Sequence, residues 1–129
     1  MDRHVYATGT PWEPIVGYSR AVRVGPHVFV AGTTATNESG EVVGVGDPHA
    51  QAVQIFANIG RALERAGARF DHVVRTRIFV LDVAHWEAVG RAHGAVFGDI
   101  RPASTLVQVV ALVDPAMLVE IEADAIVHD

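Results

Sequence analysis

The stretch RPASTLVQVVALVDPAMLVEIEADAIV, which runs from Arg101 to Val127, decides the fold. After an Arg-Pro-Ala start it contains two runs rich in strand-forming residues, Ala103–Leu112 and Leu118–Val127. Asp114-Pro115 separates the two runs, and such a pair is typical of a turn. The stretch therefore predicts the last two strands of a β-sheet.

The second run alternates strictly between apolar and acidic residues. Every second residue from Val119 to Val127 is apolar, and the positions between them include Glu120, Glu122 and Asp124. Because successive side chains of a strand point to opposite faces, this pattern predicts one core face and one acidic face. Mg²⁺ or Mn²⁺ could bind such a row of oxygens. Acidic faces that are solvated or paired at an interface are more common, so no metal is predicted.

Further strands are indicated upstream of this stretch. Tyr18–Val24 and His27–Thr33 predict a hairpin that turns at Gly25-Pro26. A short run at Glu41–Val43 is a candidate third strand, and His72–Leu81 predicts a longer one.

Two helices are predicted between these strands. The first begins at Asp47-Pro48, because Asp is a good N-cap and Pro fits the first turn, and it ends near Gly67. The second is capped by Asp82 and extends to about Gly98. The expected apolar stripes, at helical spacing, are Val53, Phe56, Gly60 and Leu63 in the first helix and Trp86, Val89, His93, Val96 and Phe97 in the second.

The order ββ(β)αβαββ predicts an α+β fold with a mixed sheet and both helices on one face. The 129 residues, half of them hydrophobic, suit a single domain over residues 1–129. The other face of the sheet is left uncovered in so short a chain, and we expect oligomerisation to bury it.

Composition excludes several kinds of chemistry. Cysteine is absent, so disulfides, thiol nucleophiles and cysteine-bound metals are excluded. All ten basic residues are Arg, so no lysine can form a Schiff base. The net charge of −5 argues against nucleic acid as a partner. No apolar run approaches the roughly 20 residues of a membrane-spanning helix. The start of the chain has no apolar signal region, so we expect a cytoplasmic protein.

Few residues carry a chemical signal of their own. His93 lies in the apolar stripe of the second helix, where a packed histidine is commoner than a catalytic one. Arg101 precedes Pro102, which restricts it to an extended backbone, and it could clamp a substrate carboxylate or simply pair with Asp99. Ser104 has no His or Asp near it in sequence, which disfavours a nucleophile.

Six segments, in this order, resemble the RidA/YjgF family. They are Pro14–Tyr18, Val28–Thr33, Asn58-Ile59, Thr76–Val80, Arg101–Thr105 and Val119–Ala123. The resemblance implies a chorismate-mutase-like fold and a homotrimer with clefts between subunits. It also implies hydrolysis of reactive enamines or imines, such as 2-aminoacrylate, to keto acids and ammonia, without a cofactor.

The chain matches the family's deaminases at three site positions and departs from them at others. Tyr18, Gly32 and Glu120 match, and the resemblance implies that Glu120 orients the attacking water. Ser104 stands where the deaminases have an Arg that holds the substrate carboxylate, a loss of roughly 2–5 kcal/mol in a buried site. His93 likewise replaces a residue of the deaminase pattern on the second helix. The chain therefore resembles branches that lack the usual Arg.

Three functions are compatible with these observations. In the first, the chain hydrolyses an enamine, imine or related metabolite in a cleft between trimer subunits, and its substrate differs from that of the standard deaminases. Glu120 is then the catalytic group, and Tyr18, Gly32, His93 and Ser104 lie near the substrate. Arg101, or Arg91 as the second choice, then supplies the missing cation. In the second, a trimer binds a small metabolite without catalysis. The third, an endoribonuclease or translation inhibitor, is disfavoured by the acidic charge.

Overall fold

Six strands and three helices follow one another in the computed structural model, which describes all residues from Met1 to Asp129. In chain order they are β1 (Arg3–Tyr6), α1 (Trp12–Val16), β2 (Ala21–Val24), β3 (His27–Thr33), α2 (Pro48–Arg65), β4 (Val73–Val80), α3 (Trp86–Phe97), β5 (Ala103–Gln108) and β6 (Val119–Ile126). Short 3-10 turns at Phe70–His72 and Val83–His85 precede β4 and α3.

All six strands form one mixed sheet in the order β1-β2-β3-β6-β4-β5. Neighbouring strands are antiparallel except β4 and β5, which are parallel and are connected through α3. The alternating run forms β6, between β3 and β4. Its apolar residues Val119, Ile121 and Ala123 are fully buried, as the alternation predicted. The α+β fold class is therefore confirmed.

Both long helices cover the same face of the sheet. The Asp47 side chain caps α2 by accepting a hydrogen bond from the Ala50 N–H at 3.0 Å, as predicted. Ile55, Ile59 and Leu63 of α2 are fully buried in the core. Burial of one such side chain contributes about 1.5–3 kcal/mol, so this face anchors the helix on the sheet.

Two residues assigned to the apolar stripes lie outside the core. Val53 is 51% exposed and Trp86 is 59% exposed. Val53 lies about 100° around α2 from its buried neighbour Ala52, which turns it away from the sheet. Trp86 is the first residue of α3, because Asp82 caps the preceding 3-10 turn through the Ala84 N–H and not the helix itself.

Two elements near the N-terminus were not predicted. The edge strand β1 pairs with β2 through its backbone and exposes most of its side chains, so it carries no alternation signal. The helix α1 has five residues, too few to show a helical period. Conversely, Glu41–Val43 is not a strand, since it makes a single bridge between Thr36 and Val42.

The face of the sheet opposite the helices has no covering element. Phe29 of β3 and Val107 of β5 are 48% and 42% exposed there. Arg77 of β4 lies on the same face, where Nη1 is 3.2 Å from Glu122 and 3.1 Å from Asp124. No helix is long and apolar enough to cross a membrane.

Candidate functional site

A cavity of about 880 Å³ lies where β3 ends and β6 begins. Its walls are the N-terminal segment 7–18, the loop after β3, the outer part of α2 and the start of β6. The polar side chains of Tyr18, Arg20 and Glu120 line it, together with the backbone of Gly32. The structure thus brings together three of the predicted site residues, namely Tyr18, Gly32 and Glu120.

Glu120 lies directly over the backbone of Gly32. A Cβ added to Gly32 would be 2.7 Å from Oε2 of Glu120 and 3.0 Å from its Cδ. Real Cβ atoms do not approach other heavy atoms so closely, so the glycine is what permits this contact. The pairing of β3 with β6 shifts register between Val30 and Thr33, and this irregularity contains Gly32.

The acidic row of β6 divides into two environments. Glu122 and Asp124 both pair with Arg77 on the open face of the sheet. Glu120 makes no such ion pair. Burial raises the pKa of Glu120 above its ordinary value; the charge of Arg20 opposes the increase and that of Glu122 adds to it. Glu120 is therefore the member of the row suited to exchange a proton.

Arg20 is the cation of this cavity, and it was not among the predicted site residues. Its side chain is buried, with the residue 8% exposed. Nη1 donates to the Gly32 carbonyl at 2.7 Å and to Thr33 Oγ1 at 2.8 Å. The guanidinium lies 5.8 Å from the centre of the Tyr18 ring. The one available signal was its spacing of two from Tyr18, which places both side chains on one side of an extended segment.

Two amides of α2 hold the walls of the cavity. Gln51 is fully buried, and its Nε2 donates to the Ala116 carbonyl at 2.8 Å while its Oε1 accepts from the Leu118 N–H at 2.9 Å. These bonds fix the chain immediately before Glu120. Asn58 Nδ2 donates to the Thr34 and Thr36 carbonyls, at 3.1 and 2.9 Å, and fixes the loop after β3.

The N-terminal wall is held by one carboxylate. Glu13 accepts hydrogen bonds from the hydroxyls of Thr8 and Thr10 at 2.8 and 2.7 Å and from their N–H groups at 3.2 Å. Burial favours the neutral carboxyl, but these four bonds outweigh it and lower the pKa of Glu13. The ionised carboxylate therefore fixes the conformation of this segment between Thr8 and Glu13.

His93 and Ser104 form a separate cluster under α3. Thr76 Oγ1 lies 2.9 Å from His93 Nε2 and 2.8 Å from Ser104 Oγ. His93 also packs against Phe56 and Phe97, and burial lowers its pKa, which favours the neutral ring. Within one subunit, neither His93 nor Ser104 lines the Glu120 cavity.

The expectation of an extended backbone at Arg101 was wrong. Its φ is +55°, in the left-handed region, and its N–H donates to the Phe97 carbonyl at 2.8 Å. This bond lies at the C-terminal end of α3, where a left-handed residue commonly ends a helix. The helix end therefore sets the backbone conformation of Arg101. The Arg101 side chain folds back, with Nε 2.9 Å from the Gly98 carbonyl, and it neither lines the cavity nor pairs with Asp99. Arg91, the second choice, pairs with Glu87.

The sequence profile described as Endoribonuclease L-PSP matches residues 8–127. This chain belongs to the RidA/YjgF family. A Mycobacterium tuberculosis member of the YjgF/YER057c/UK114 family has a crystal structure that is 47% identical, with a TM-score of 0.89, and covers 98% of this chain and 100% of its own. A 3-aminoacrylate deaminase, RutC, of Acinetobacter baylyi is 35% identical over 117 residues, which are 91% of each chain.

Other members of the RidA/YjgF family carry other descriptions. A Thermotoga maritima structure described as a putative endoribonuclease is 31% identical, with a TM-score of 0.88 and full coverage of both chains. Family membership thus establishes the fold and a deaminase-like or endoribonuclease-like role in general terms. The choice of activity rests on the side chains of the cavity. The structure contains no group of three or more His, Asp or Glu residues that could hold a metal ion.

Proposed function

We propose that this chain hydrolyses a small reactive enamine or imine, with Glu120 as the catalytic acid and base. The observation that carries the proposal is the position of Glu120. Its carboxyl is partly buried, lies over Gly32, has a raised pKa and faces a cavity that also contains Arg20. The relative from Acinetobacter baylyi named 3-aminoacrylate deaminase supports the same class of reaction.

The reaction replaces C=N by C=O and releases ammonia. Protonated Glu120 donates its proton to the imine nitrogen, or to the terminal carbon of an enamine, and an iminium ion results. The carboxylate then takes a proton from water as the water oxygen bonds to the iminium carbon. Glu120 next returns this proton to the amino group, the C–N bond breaks, and the carbinolamine hydroxyl passes its proton back to Glu120 as C=O forms.

A raised pKa suits Glu120 to both roles. A general acid and base is most effective when its pKa is close to the working pH, and such a group contributes about 100- to 10,000-fold in rate. An ordinary surface carboxylate is almost fully ionised at pH 7. Burial in the cavity therefore gives Glu120 a larger protonated fraction than an ordinary surface carboxylate has at the same pH.

We also propose that the chain works as a cytoplasmic homotrimer that takes a small-molecule ligand and does not bind nucleic acid. The uncovered face of the sheet, with Phe29 and Val107 exposed, supports self-association. In such a trimer the family resemblance implies that the cleft lies between subunits. His93, Arg101 and Ser104 would then approach a substrate only from the neighbouring subunit.

Replacement of the usual Arg by Ser104 favours a second candidate, a trimer that binds a small metabolite without turning it over. The two functions share a cavity and differ in whether Glu120 acts chemically. Ammonia release distinguishes them directly.

The test is hydrolysis of imines generated in solution by an amino-acid oxidase, with wild type, Glu120→Gln and Glu122→Gln. The proposal predicts accelerated ammonia release by wild type, a loss of about 100-fold or more in Glu120→Gln, and near-normal activity in Glu122→Gln. Wild type that binds keto acids but does not accelerate ammonia release would establish the binding function. Equal losses in the two variants would remove Glu120 from the chemistry.

A further inference from the structure

The cavity contains one buried guanidinium whose hydrogen bonds are incomplete. The hydrogen bonds of the Arg20 side chain all come from Nη1, which donates to Gly32, Thr33 and, at 3.4 Å, Ala31. Nε is buried and has no partner. Because a guanidinium carries five N–H donors in a rigid plane, the edge formed by Nε and Nη2 is left without an acceptor from the chain.

That free edge has the shape of a carboxylate receptor. Two parallel N–H groups of an Arg match the two oxygens of a carboxylate, and such bidentate pairs are among the strongest hydrogen-bonded contacts in proteins. An unpartnered buried donor is rare in folded proteins, and a ligand or an ordered water completes such a group. Arg20 lies in the cavity wall, so the group that reaches it comes from the cavity.

Glu120 does not satisfy Arg20. Their charges interact through space, but no N–O distance between them falls within ion-pair contact. Both groups line the same cavity, so a ligand of that cavity meets an acid and a cation. A ligand whose carboxylate contacts Arg20 therefore lies in the same cavity as the Glu120 carboxyl.

The other arginines of the cavity wall are less suited to this role. Arg61 and Arg65 lie on the outer side of α2 and are exposed. Arg65 donates to the Ala7 carbonyl at 2.6 Å, and Arg61 donates to Asn58. Arg20, in contrast, is fixed on the β3 irregularity, since Thr33 Oγ1 accepts from its Nη1 and donates to the Ala31 carbonyl at 2.8 Å.

We propose that Arg20, through its Nε–Nη2 edge, binds the carboxylate of the substrate and so restricts the reaction to short imino or enamino carboxylates and their keto-acid products. The substrate class rests on the proposed function, but the binding of a carboxylate by Arg20 does not. The proposal also replaces Arg101 and Arg91 as the cation of the site.

Carboxylate binding at Arg20 has a second consequence, for Glu120. The charge of Arg20 lowers the pKa of Glu120, so a bound anion that neutralises Arg20 raises that pKa again. Binding of a keto acid must then be accompanied by proton uptake, and the affinity must increase as the pH falls toward the pKa of Glu120. The titratable or charged groups facing this cavity or adjoining Glu120 are Tyr18, Arg20, Glu38, Arg61, Arg65, Glu120 and Glu122.

Calorimetric titration with pyruvate and with its uncharged analogue pyruvamide tests the proposal. For wild type we expect pyruvate to bind more tightly than pyruvamide, and its affinity to increase as the pH is lowered from 8 to 5. Arg20→Gln should weaken pyruvate about 10- to 100-fold and leave pyruvamide nearly unchanged, the cost of losing a charged hydrogen-bonded pair. Arg69→Gln, the matched control at an exposed arginine outside the cavity, should stay within about twofold of wild type.

Arg20 also supports the backbone of Gly32, so Arg20→Gln could fail to fold. Arg20→Lys keeps the charge but loses the bidentate edge, and it should show an intermediate loss for pyruvate. Three results would each overturn the proposal. Wild type could fail to bind pyruvate, or a folded Arg20 variant could bind pyruvate with unchanged affinity. The third is that wild type binds pyruvate and pyruvamide with equal affinity at every pH. Arg20-dependent pyruvate binding without ammonia release would support it while refuting the hydrolase function.

Discussion

Glu120 and Gly32 show what can and what cannot be predicted for single residues. Strict alternation in β6 predicted that Glu120, Glu122 and Asp124 share a face. Which of the three lacks an ion pair depends on Arg77, a residue of β4 more than forty positions away, and no local pattern contains that information. The side chain of Arg20 was missed for a similar reason, since its partners lie on the next strand.

The contact of Glu120 with Gly32 gives the first prediction at this scale. Gly32→Ala places a methyl group where the Glu120 carboxylate lies and must displace the end of a flexible side chain by several tenths of an ångström or more. We expect the stability to change by about 1 kcal/mol or less, because backbone is not in the way. Hydrolysis should fall by up to about 100-fold, as for other small misplacements of a catalytic group.

Gly90→Ala is the matched control, since a Cβ at Gly90 meets no heavy atom within 4 Å. It lies in α3 and should stabilise the protein by up to about 1 kcal/mol with no loss of activity. Steady-state kinetics and thermal unfolding of both variants decide the matter. Full activity in Gly32→Ala would show that the position of the carboxylate is not critical.

The pKa of Glu120 gives a prediction about stability. Because the folded state raises that pKa, the ionised carboxylate opposes folding at pH values above it, and the effect disappears when the group is protonated in both states. Glu120→Gln should therefore unfold at a higher temperature than wild type at pH 7–8. The difference should shrink as the pH falls toward the ordinary pKa of a glutamate. Melting curves across this pH range measure the difference, with Glu122→Gln as the comparison. A difference in melting temperature between Glu120→Gln and wild type that stays constant with pH, or has the opposite sign, would contradict the account.

At the scale of elements, α2 was predicted well at its start and only in part along its face. Asp47 and Pro48 are local signals for a helix start, and they act through bonds within one turn. The two amides of α2 that hold the cavity walls gave no such signal, because Gln51 and Asn58 bond loops that are distant in sequence. Polar residues on a helix face do not reveal whether they meet solvent or a buried carbonyl.

Gln51 provides the prediction at this scale. Gln51→Leu leaves the Ala116 carbonyl and the Leu118 N–H without their partner next to a fully buried side chain, whereas the Gly44 carbonyl still accepts from the Asp47 N–H. We expect a loss of about 2–4 kcal/mol in unfolding free energy, as for several buried groups left unsatisfied together. Gln54→Leu, whose amide bonds only Asn58 on the same helix, should cost less than about 1 kcal/mol. Chemical denaturation measures both, and similar costs would contradict the role assigned to Gln51.

For the whole molecule, the fold class and the covered face of the sheet followed from strand alternation and helix amphipathicity. The position of β6 in the centre of the sheet agrees with its fully apolar core face. The order of the strands and the parallel pairing of β4 with β5 depend on long-range contacts that the patterns do not contain. The uncovered face was expected, because the chain has too few helices to cover both faces of its sheet.

The uncovered face leads to a prediction about assembly. Light scattering on the purified protein should give the mass of three chains at micromolar concentration. Val107→Glu introduces a charge on the uncovered face and should weaken the trimer, whereas Val53→Glu, at a similarly exposed position on the helical side, should not. A monomer mass for wild type, or equal behaviour of the two variants, would exclude the proposed use of this face.

The most direct test of the central claim is a crystal structure of the protein with bound pyruvate. The account predicts that the pyruvate carboxylate accepts hydrogen bonds from Nε and Nη2 of Arg20. The keto carbon should then face the Glu120 carboxyl above Gly32. Pyruvate bound at Arg101, or anywhere that leaves Nε of Arg20 without a partner, would contradict it.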